Sequence, residues 1–265
     1  MERGVPIRSI SRCMSVLQAI NRHGSLSLME IAQAAKVPYP TACRIVQTLL
    51  HEGFIEREPD RKRYRPTVLV LSLANGFQVH DRLIQASRRY IVDLTYKHNW
   101  PLSVVTRVGQ TMVVRDSTHA LTSRTFSNYY PGFTLPILEC ASGRAYIAHA
   151  GGEERETILN GVRTLPGATD PQTLTLFESE VVLNEIRRDG YATKGRNFHN
   201  ATPGRTASIA VPIFDQDELV GALTMVFFAS AMKMSEAVDR YVPDMKAAAE
   251  RIGLDLASGM HRIAA

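Results

Sequence analysis

The sequence predicts a multidomain protein: an all-α head of winged helix-turn-helix class, a linker helix and a larger α+β domain. Three observations carry that reading. The 265 residues hold 31 Lys+Arg against 26 Asp+Glu, and the excess of +5 falls within residues 1–66, with eleven bases and six acids, while the remainder is neutral. Apolar residues in the first 52 positions recur at spacings of three and four and are interrupted by prolines. Beyond residue 100, β-type runs alternate with helical ones. The charge split implies two parts with different partners, the basic one suited to a polyanion. The boundaries follow as 1–66 for the head, 67–81 for the linker helix and 82–265 for the second domain.

In the head, Ile10, Cys13, Met14, Leu17 and Ile20 line one face of a helix from Ser9 to Arg22, ended by His23-Gly24. Ser27-Leu28-Met29-Glu30 has the form of a capping box, in which hydroxyl and carboxylate each satisfy a backbone N–H that a helix start leaves unpaired. The helix it opens runs to Lys36 and turns Leu28, Ile31, Ala32 and Ala35 inward. Val37-Pro38-Tyr39-Pro40 then stops it, because each proline pushes its predecessor out of the α region. Thr41 is expected to begin a third helix with Ala42, Ile45, Val46, Leu49 and Leu50 on one face. Three short helices with a break before the third make a helix-turn-helix pattern. Phe54–Arg57 and Arg63–Arg65 read as strands joined through Pro59-Asp60, so a hairpin with a basic tip stands behind the third helix. Thr67 to Val79 is apolar nearly all round and reads as a connecting helix that must pack on something, a partner subunit being one option.

The second domain opens with an amphipathic helix, Leu83 to His98, followed by strands at Leu102–Val108 and Thr111–Ser117 around Gly109-Gln110. Leu138–Ala150, Glu153–Asn160 and Leu174–Arg188 read as helices. Strands resume at Tyr191–Lys194, Thr206–Phe214 and Leu219–Phe228, the last two joined through Asp215-Gln216-Asp217. A last helix from Ser235 to Arg262 is expected to kink or divide at Pro243. Antiparallel hairpins with helices at both ends indicate an α+β, sensor-like domain rather than a doubly wound one.

Several function classes fall away on the same reading. No window approaches the apolar length of a membrane span, and the first residues lack the apolar core of a signal peptide, so a cytoplasmic protein is expected. Cys13, Cys43 and Cys140 are too few and too scattered for a disulfide framework or a zinc site, and read as small buried hydrophobes; no metal or cofactor is expected. The common hydrolase, nucleotide-loop and zinc-protease signals are absent. A nucleophile built from Cys140 or Ser142 with His119 or His149 has no spacing logic, which leaves an enzyme as the alternative class and a ligand sensor as the preferred one.

Val37-Pro38-Tyr39-Pro40-Thr41-Ala42-Cys43-Arg44-Ile45-Val46-Gln47-Thr48-Leu49 resembles the recognition helix of IclR-type transcriptional regulators. Ala141-Ser142-Gly143-Arg144-Ala145 and Ile209-Ala210-Val211-Pro212-Ile213 are similar to two signature stretches of that family's effector domain. Trp100-Pro101, Met112 to Arg115 with Thr118-His119, and Ala229-Ser230-Ala231-Met232 resemble the branch that activates hydroxyphenylpropionate and related aromatic-acid catabolism. The resemblance implies a GAF-like effector domain, a dimer or dimer of dimers, an inverted-repeat operator in double-stranded DNA, and a small aromatic or carboxylic acid effector. It implies activation, hence contact with RNA polymerase, with repression as the alternative outcome.

A third helix in the major groove presents its N-terminal outward residues, here Tyr39, Pro40, Thr41, Cys43 and Arg44, with Gln47 and Thr48 one turn on. Arg44 leads for a base or phosphate contact, since a guanidinium pairs bidentately with guanine; a solvated helix charge is the alternative. The family usually carries small polar or basic residues where Tyr39 and Pro40 stand. Arg61, Lys62, Arg63 and Tyr64 at the wing are placed for phosphates or an adjacent minor groove, and Arg8, Ser9 and Arg12 for further backbone contacts. For the effector, the resemblance points to Leu135, Ala141, Ser142, Ser208, Thr224 and Val226. Arg196 stands near the position where many relatives place an acid and would pair with an acidic ligand, while Met112, Phe126 and Phe133 would line the apolar part. Gly132-Phe133-Thr134-Leu135-Pro136 leads into the helix containing Ala141-Ser142-Gly143, and a helix start offers N–H groups and a positive dipole end to a carboxylate.

Overall fold

The head is built on the Ser27–Glu30 capping box that the sequence spells out. In the computed structural model, which describes residues 7–74, 82–124, 129–164, 170–198 and 203–259, the Ser27 hydroxyl accepts the Glu30 N–H at 3.4 Å and the Glu30 carboxylate accepts the Ser27 N–H at 2.7 Å. This fixes the start of α2 (Leu28–Ala34), which follows α1 (Arg8–His23) and a two-residue strand, β1 (Leu26–Ser27). α3 spans Tyr39–His51, and the wing is β2 (Ile55–Arg57) with β3 (Arg63–Pro66). The three strands pair antiparallel in the order β1-β3-β2. Val16, Ile20, Ile31, Ala42, Val46, Leu49 and Ile55 form the core they enclose.

Three expectations for the head need correction. The third helix begins at Tyr39, not Thr41, because Pro40 falls within its first turn, where a missing N–H costs nothing, so the break is confined to the residues before Tyr39. Ile10 and Met14 are exposed, and the buried face of α1 is Val16, Leu17, Ala19 and Ile20; only the C-terminal half of the helix lies over the core. Val68–Leu73, expected to open a linker helix, winds as a 3-10 turn whose Thr67 hydroxyl accepts the Leu69 N–H. The rest of that expectation, with Gly76, Phe77 and Val79, lies outside the described residues, as does Phe126.

The chain divides into two units, Met1–Asp81 and Arg82–Ala265. The second begins with α4 (Arg82–His98), β4 (Leu102–Val108), β5 (Thr111–Ser117) and the short β6 (Thr134–Pro136). Four helices follow: α5 (Ala141–His149), α6 (Gly152–Arg163), α7 (Pro171–Glu178) and α8 (Val181–Asp189). β7 (Ala192–Asn197), β8 (Thr206–Asp215), β9 (Glu218–Phe228) and α9 (Met234–Ala257) complete it. The six strands form one antiparallel sheet in the order β6-β5-β4-β9-β8-β7. β6, at three residues, is too short to show a strand period in the sequence.

Both faces of the sheet are covered. Ile209, Val211, Leu223, Met225 and Phe227 pack under α4 and α9, while Ala210 and Val226 share a second core with Met112, Phe133 and α5. Trp100 belongs to the first core, donating its indole N–H to the Tyr241 hydroxyl at 3.0 Å. Leu174–Arg188 is two helices rather than one, with Glu180 in a left-handed conformation between them and its carboxylate 2.8 Å from Arg155. The turn lets Phe177 and Leu183 both reach the second core. α9 runs unbroken through Pro243, its packed face of Tyr241, Met245, Ala248 and Ile252 holding it across the missing hydrogen bond.

α5 is seated by a glycine. A Cβ on Gly143 would lie 1.8 Å from the Ile137 carbonyl oxygen, so only glycine allows this approach. Replacing Gly143 by Ala is expected to lower the unfolding free energy by about 3 kcal/mol or more, or to prevent folding of the second unit, by denaturant titration. Ser27→Ala is expected to cost about 1 kcal/mol in the head, through loss of the cap.

Candidate DNA-binding surface and effector site

Burying Ala42, Val46 and Leu49 leaves the opposite side of α3 outward, and that side carries Tyr39, Pro40, Arg44, Gln47 and Thr48, with Thr41 and Cys43 half-buried beside it. The Thr48 hydroxyl donates to the Arg44 carbonyl oxygen at 3.1 Å, so toward a ligand it can only accept. The adjacent Cys43, and then partial burial, hold the Tyr39 phenol above its ordinary pKa, so it stays a neutral donor. Arg8, Ser9 and Arg12 are exposed on the first turns of α1.

The wing divides the basic residues predicted there. Arg61 and Lys62 are exposed in the turn between β2 and β3. Arg63 is not a tip residue: its Nε donates to the Ser25 hydroxyl at 3.1 Å, and its Nη2 donates to the Ser25 carbonyl at 3.0 Å and lies 2.9 Å from the Glu30 carboxylate. The β1–β3 register sets Arg63 opposite Ser27 and so brings it over the start of α2. Tyr64 is likewise drawn inward and packs against the core of the head. Arg57 was missed by the sequence reading; it ends β2 with its side chain exposed beside the basic turn, and its signal was only one more arginine in the hairpin.

In the second unit, strand alternation sorts the predicted effector residues. Ser208 lies between Ala207 and Ile209, and Thr224 between Leu223 and Met225; these four neighbours face α4 and α9, so Ser208 and Thr224 point to the α5 side. There they join Met112, Phe133, Leu135, Ala141 and Val226 in the core under α5, with Ser142 buried on the helix start above. The sheet adds hydroxyls that the sequence did not single out. Ser103, paired in register with Thr224, donates to the Ser117 hydroxyl at 3.2 Å, and the Tyr129 and Thr206 hydroxyls lie 3.2 Å apart. The Thr224 hydroxyl itself is buried without a hydrogen-bond partner.

The start of α5 is capped only by a thiol. Cys140 Sγ accepts the Gly143 N–H at 3.4 Å and the Ser142 hydroxyl at 3.3 Å, and burial pushes the thiol pKa up, so it stays neutral. Cys140 is therefore a weak cap as well as a buried apolar residue. His149 sits at the other end of α5, its Nδ1 bonded to the Ala145 carbonyl, so the cysteine and serine do not assemble with it into a nucleophilic pair. Arg196 is the predicted effector residue that does not join the others: it stands on a β-bulge between Lys194 and Asn197 and is exposed. Among the described residues no cluster of His, Cys, Asp and Glu could hold a metal ion, and no helix is long and apolar enough to cross a membrane.

A winged helix whose third helix turns Arg44 and polar residues outward beside a basic wing turn, and an α+β unit with hydroxyls buried on one side of its sheet, define the class of ligand-responsive DNA-binding proteins. Comparison with known proteins agrees. The IclR helix-turn-helix domain matches residues 9–59, and the bacterial transcriptional regulator IclR C-terminal domain matches residues 75–254. The chain belongs to the IclR family of transcriptional regulators, with an effector-binding C-terminal domain, rather than to a family of enzymes. It is 25% identical over 255 residues to the HTH-type transcriptional regulator KdgR of Escherichia coli, covering 94% of this chain and 93% of that protein. It is 26% identical over 216 residues to the regulator BhcR of Paracoccus denitrificans, covering 79% and 73%. The fold is that of the IclR protein of Thermotoga maritima, with a TM-score of 0.66 at 21% identity over 94% of this chain and 99% of that one. An IclR homolog from Microbacterium hydrocarbonoxydans, complexed with 4-hydroxybenzoate, has a TM-score of 0.65 at 22% identity, covering 94% and 99%.

Truncation of Arg63 to Ala is expected to lower the thermal midpoint of the head, at about 1–3 kcal/mol for the lost charged hydrogen bonds. Arg61→Ala and Lys62→Ala should leave that midpoint unchanged. The Glu30 carboxyl is held below its usual range, chiefly by the Ser27 N–H. Its contribution to stability is therefore present above the ordinary glutamate pKa and lost as pH falls through the lowered one. Acid titration followed by circular dichroism should show this loss at low pH, and Glu30→Gln should remove that component.

Proposed function

We propose that this chain binds an inverted-repeat operator as a dimer or dimer of dimers and activates an aromatic-acid catabolic operon in the cytoplasm, with RNA polymerase as its partner once bound. Residues 1–66 serve as the DNA-binding part, 67–81 as the link, and 82–265 as the effector-binding and oligomerisation part. α3 lies in the major groove with Tyr39, Pro40, Thr41, Cys43, Arg44, Gln47 and Thr48 toward the bases, while Arg8, Ser9, Arg12, Arg57, Arg61 and Lys62 meet phosphates. The two-fold of the protein dictates the two-fold of the operator.

The observation that carries the effector reading is the orphan Thr224 hydroxyl on the α5 side of the sheet. A buried hydroxyl without a partner is destabilising, and a ligand oxygen would satisfy it. The thiol cap of α5 would be exchanged for an oxyanion, a far better acceptor for helix N–H groups. Met112, Phe133, Leu135 and Val226 supply an apolar surround for a ring, which fits an aromatic acid; the 4-hydroxybenzoate bound by one relative has that chemistry. The site residues are buried in this structure, so the effector acts by favouring an arrangement in which α5 stands off the sheet. It shifts the protein only by its preference for that state.

Gel-shift titration with the intergenic DNA upstream of the gene should show specific binding that an aromatic acid alters. Arg44→Ala is expected to weaken it by about 1–3 kcal/mol. Replacing Arg61 and Lys62 together should flatten the linear fall of log K with log salt. An aromatic acid at 100 times its Kd should raise stability by about 2.7 kcal/mol. Thr224→Val should leave the free protein equally or more stable and sharply reduce that ligand-induced gain. An unchanged gain would remove Thr224 from the site.

A further inference from the structure

The bulge in β7 sends Arg196 somewhere other than the buried effector site. Its backbone takes a left-handed conformation, φ 37°, and its Nη1 donates to the Gly204 carbonyl at 3.5 Å. It lines two cavities of about 730 and 380 Å³, which share Arg196, Ala229 and Ser230 and so form one cleft. The larger cavity is floored by Ala207 and Phe227 and bordered by Met232 and Lys233, while the smaller adds Arg205 and Phe228. Ala207 and Phe227 face α4 and α9. By strand alternation this is the opposite side of the sheet from Ser208 and Val226, so the cleft and the site under α5 are separate places.

The charge of the cleft is one-sided. Arg196, Arg205 and Lys233 gather there against a single carboxylate, Glu236. A cleft lined by one sign of charge concentrates counter-ions, and its size is that of small-molecule sites. Guanidinium forks pair bidentately with carboxylate or phosphate, and Ser230, which lines both cavities, brings a hydroxyl donor. The apolar floor leaves room for a short carbon body rather than a bare ion.

The geometry points to a second ligand site in this cleft, taking a small organic dianion held by Arg196, Arg205 and Lys233. A dicarboxylate and a phosphate monoester share the required chemistry, and titration distinguishes them. The inference is independent of the effector reading above.

Isothermal titration of the full chain with succinate, with glycerol 3-phosphate and with acetate as the monoanion tests it. At least one dianion should bind about tenfold or more tightly than acetate, and whichever binds better names the class. Arg205→Gln and the exposed Lys233→Gln should each weaken that binding by about tenfold while leaving the thermal midpoint of the free protein unchanged. Thr224→Val should leave it intact. Dianions no tighter than acetate, or affinity retained in a variant lacking both Arg196 and Arg205, would overturn the assignment. Affinity lost in Thr224→Val but kept in Arg205→Gln would place the dianion at the buried site and equally overturn it.

Discussion

The second unit depends on a sheet whose central hairpin, β8 with β9, is covered on both faces. Each residue there serves one of two cores by the two-residue alternation of the strand, and a slip of one position would exchange them. The side under α4 and α9 is filled by large apolar residues such as Ile209, Leu223, Met225 and Phe227. The side under α5 alternates small and hydroxylated residues, Ser208, Ala210 and Thr224, with Val226 at the end. That contrast leaves one face an apolar core and puts hydroxyls inside the other, where each needs a hydrogen-bond partner to offset its burial.

The seat of α5 follows from the same economy of space. Gly143 lets the helix backbone approach the Ile137 carbonyl, which folds the turn before α5 closely against its first residues. The buried Glu139 carboxylate, 2.8 Å from Lys194, ties the turn before α5 to β7. Arg144 Nε donates to the Leu138 carbonyl on the same turn, and burial lowers its pKa. These bonds hold the approach to the helix while its first turn is capped by nothing stronger than a thiol.

The head uses charge in two ways that composition alone merges. Arg63 looks like its neighbours Arg61 and Lys62, yet its ties to Ser25 and Glu30 join the wing to the capping box. Arg65 is paired with Glu56 across the hairpin in the same manner. The basic excess of the head is therefore smaller as a binding surface than as a count, and what remains outward is concentrated on α1, on α3 and at the wing turn.

The sequence by itself determined the local elements with strong period or strong punctuation: the capping box, the proline break, the β4–β5 and β8–β9 hairpins, and the division into a basic head and a neutral remainder. These rest on neighbours within a few positions, which a sequence displays directly. Family resemblance also gathered Leu135, Ala141, Ser142, Ser208, Thr224 and Val226, and the apolar character expected of a ligand pocket added Met112 and Phe133. Only the tertiary structure decided the roles of groups whose partners are far along the chain. Arg63 became a brace because β3 pairs with β1, Arg196 stands apart from the residues under α5 because it lies on a bulge, and Ser103 joins Thr224 on one face because β4 lies in register with β9. Register and bulges are set by long-range packing, and no window of sequence contains them.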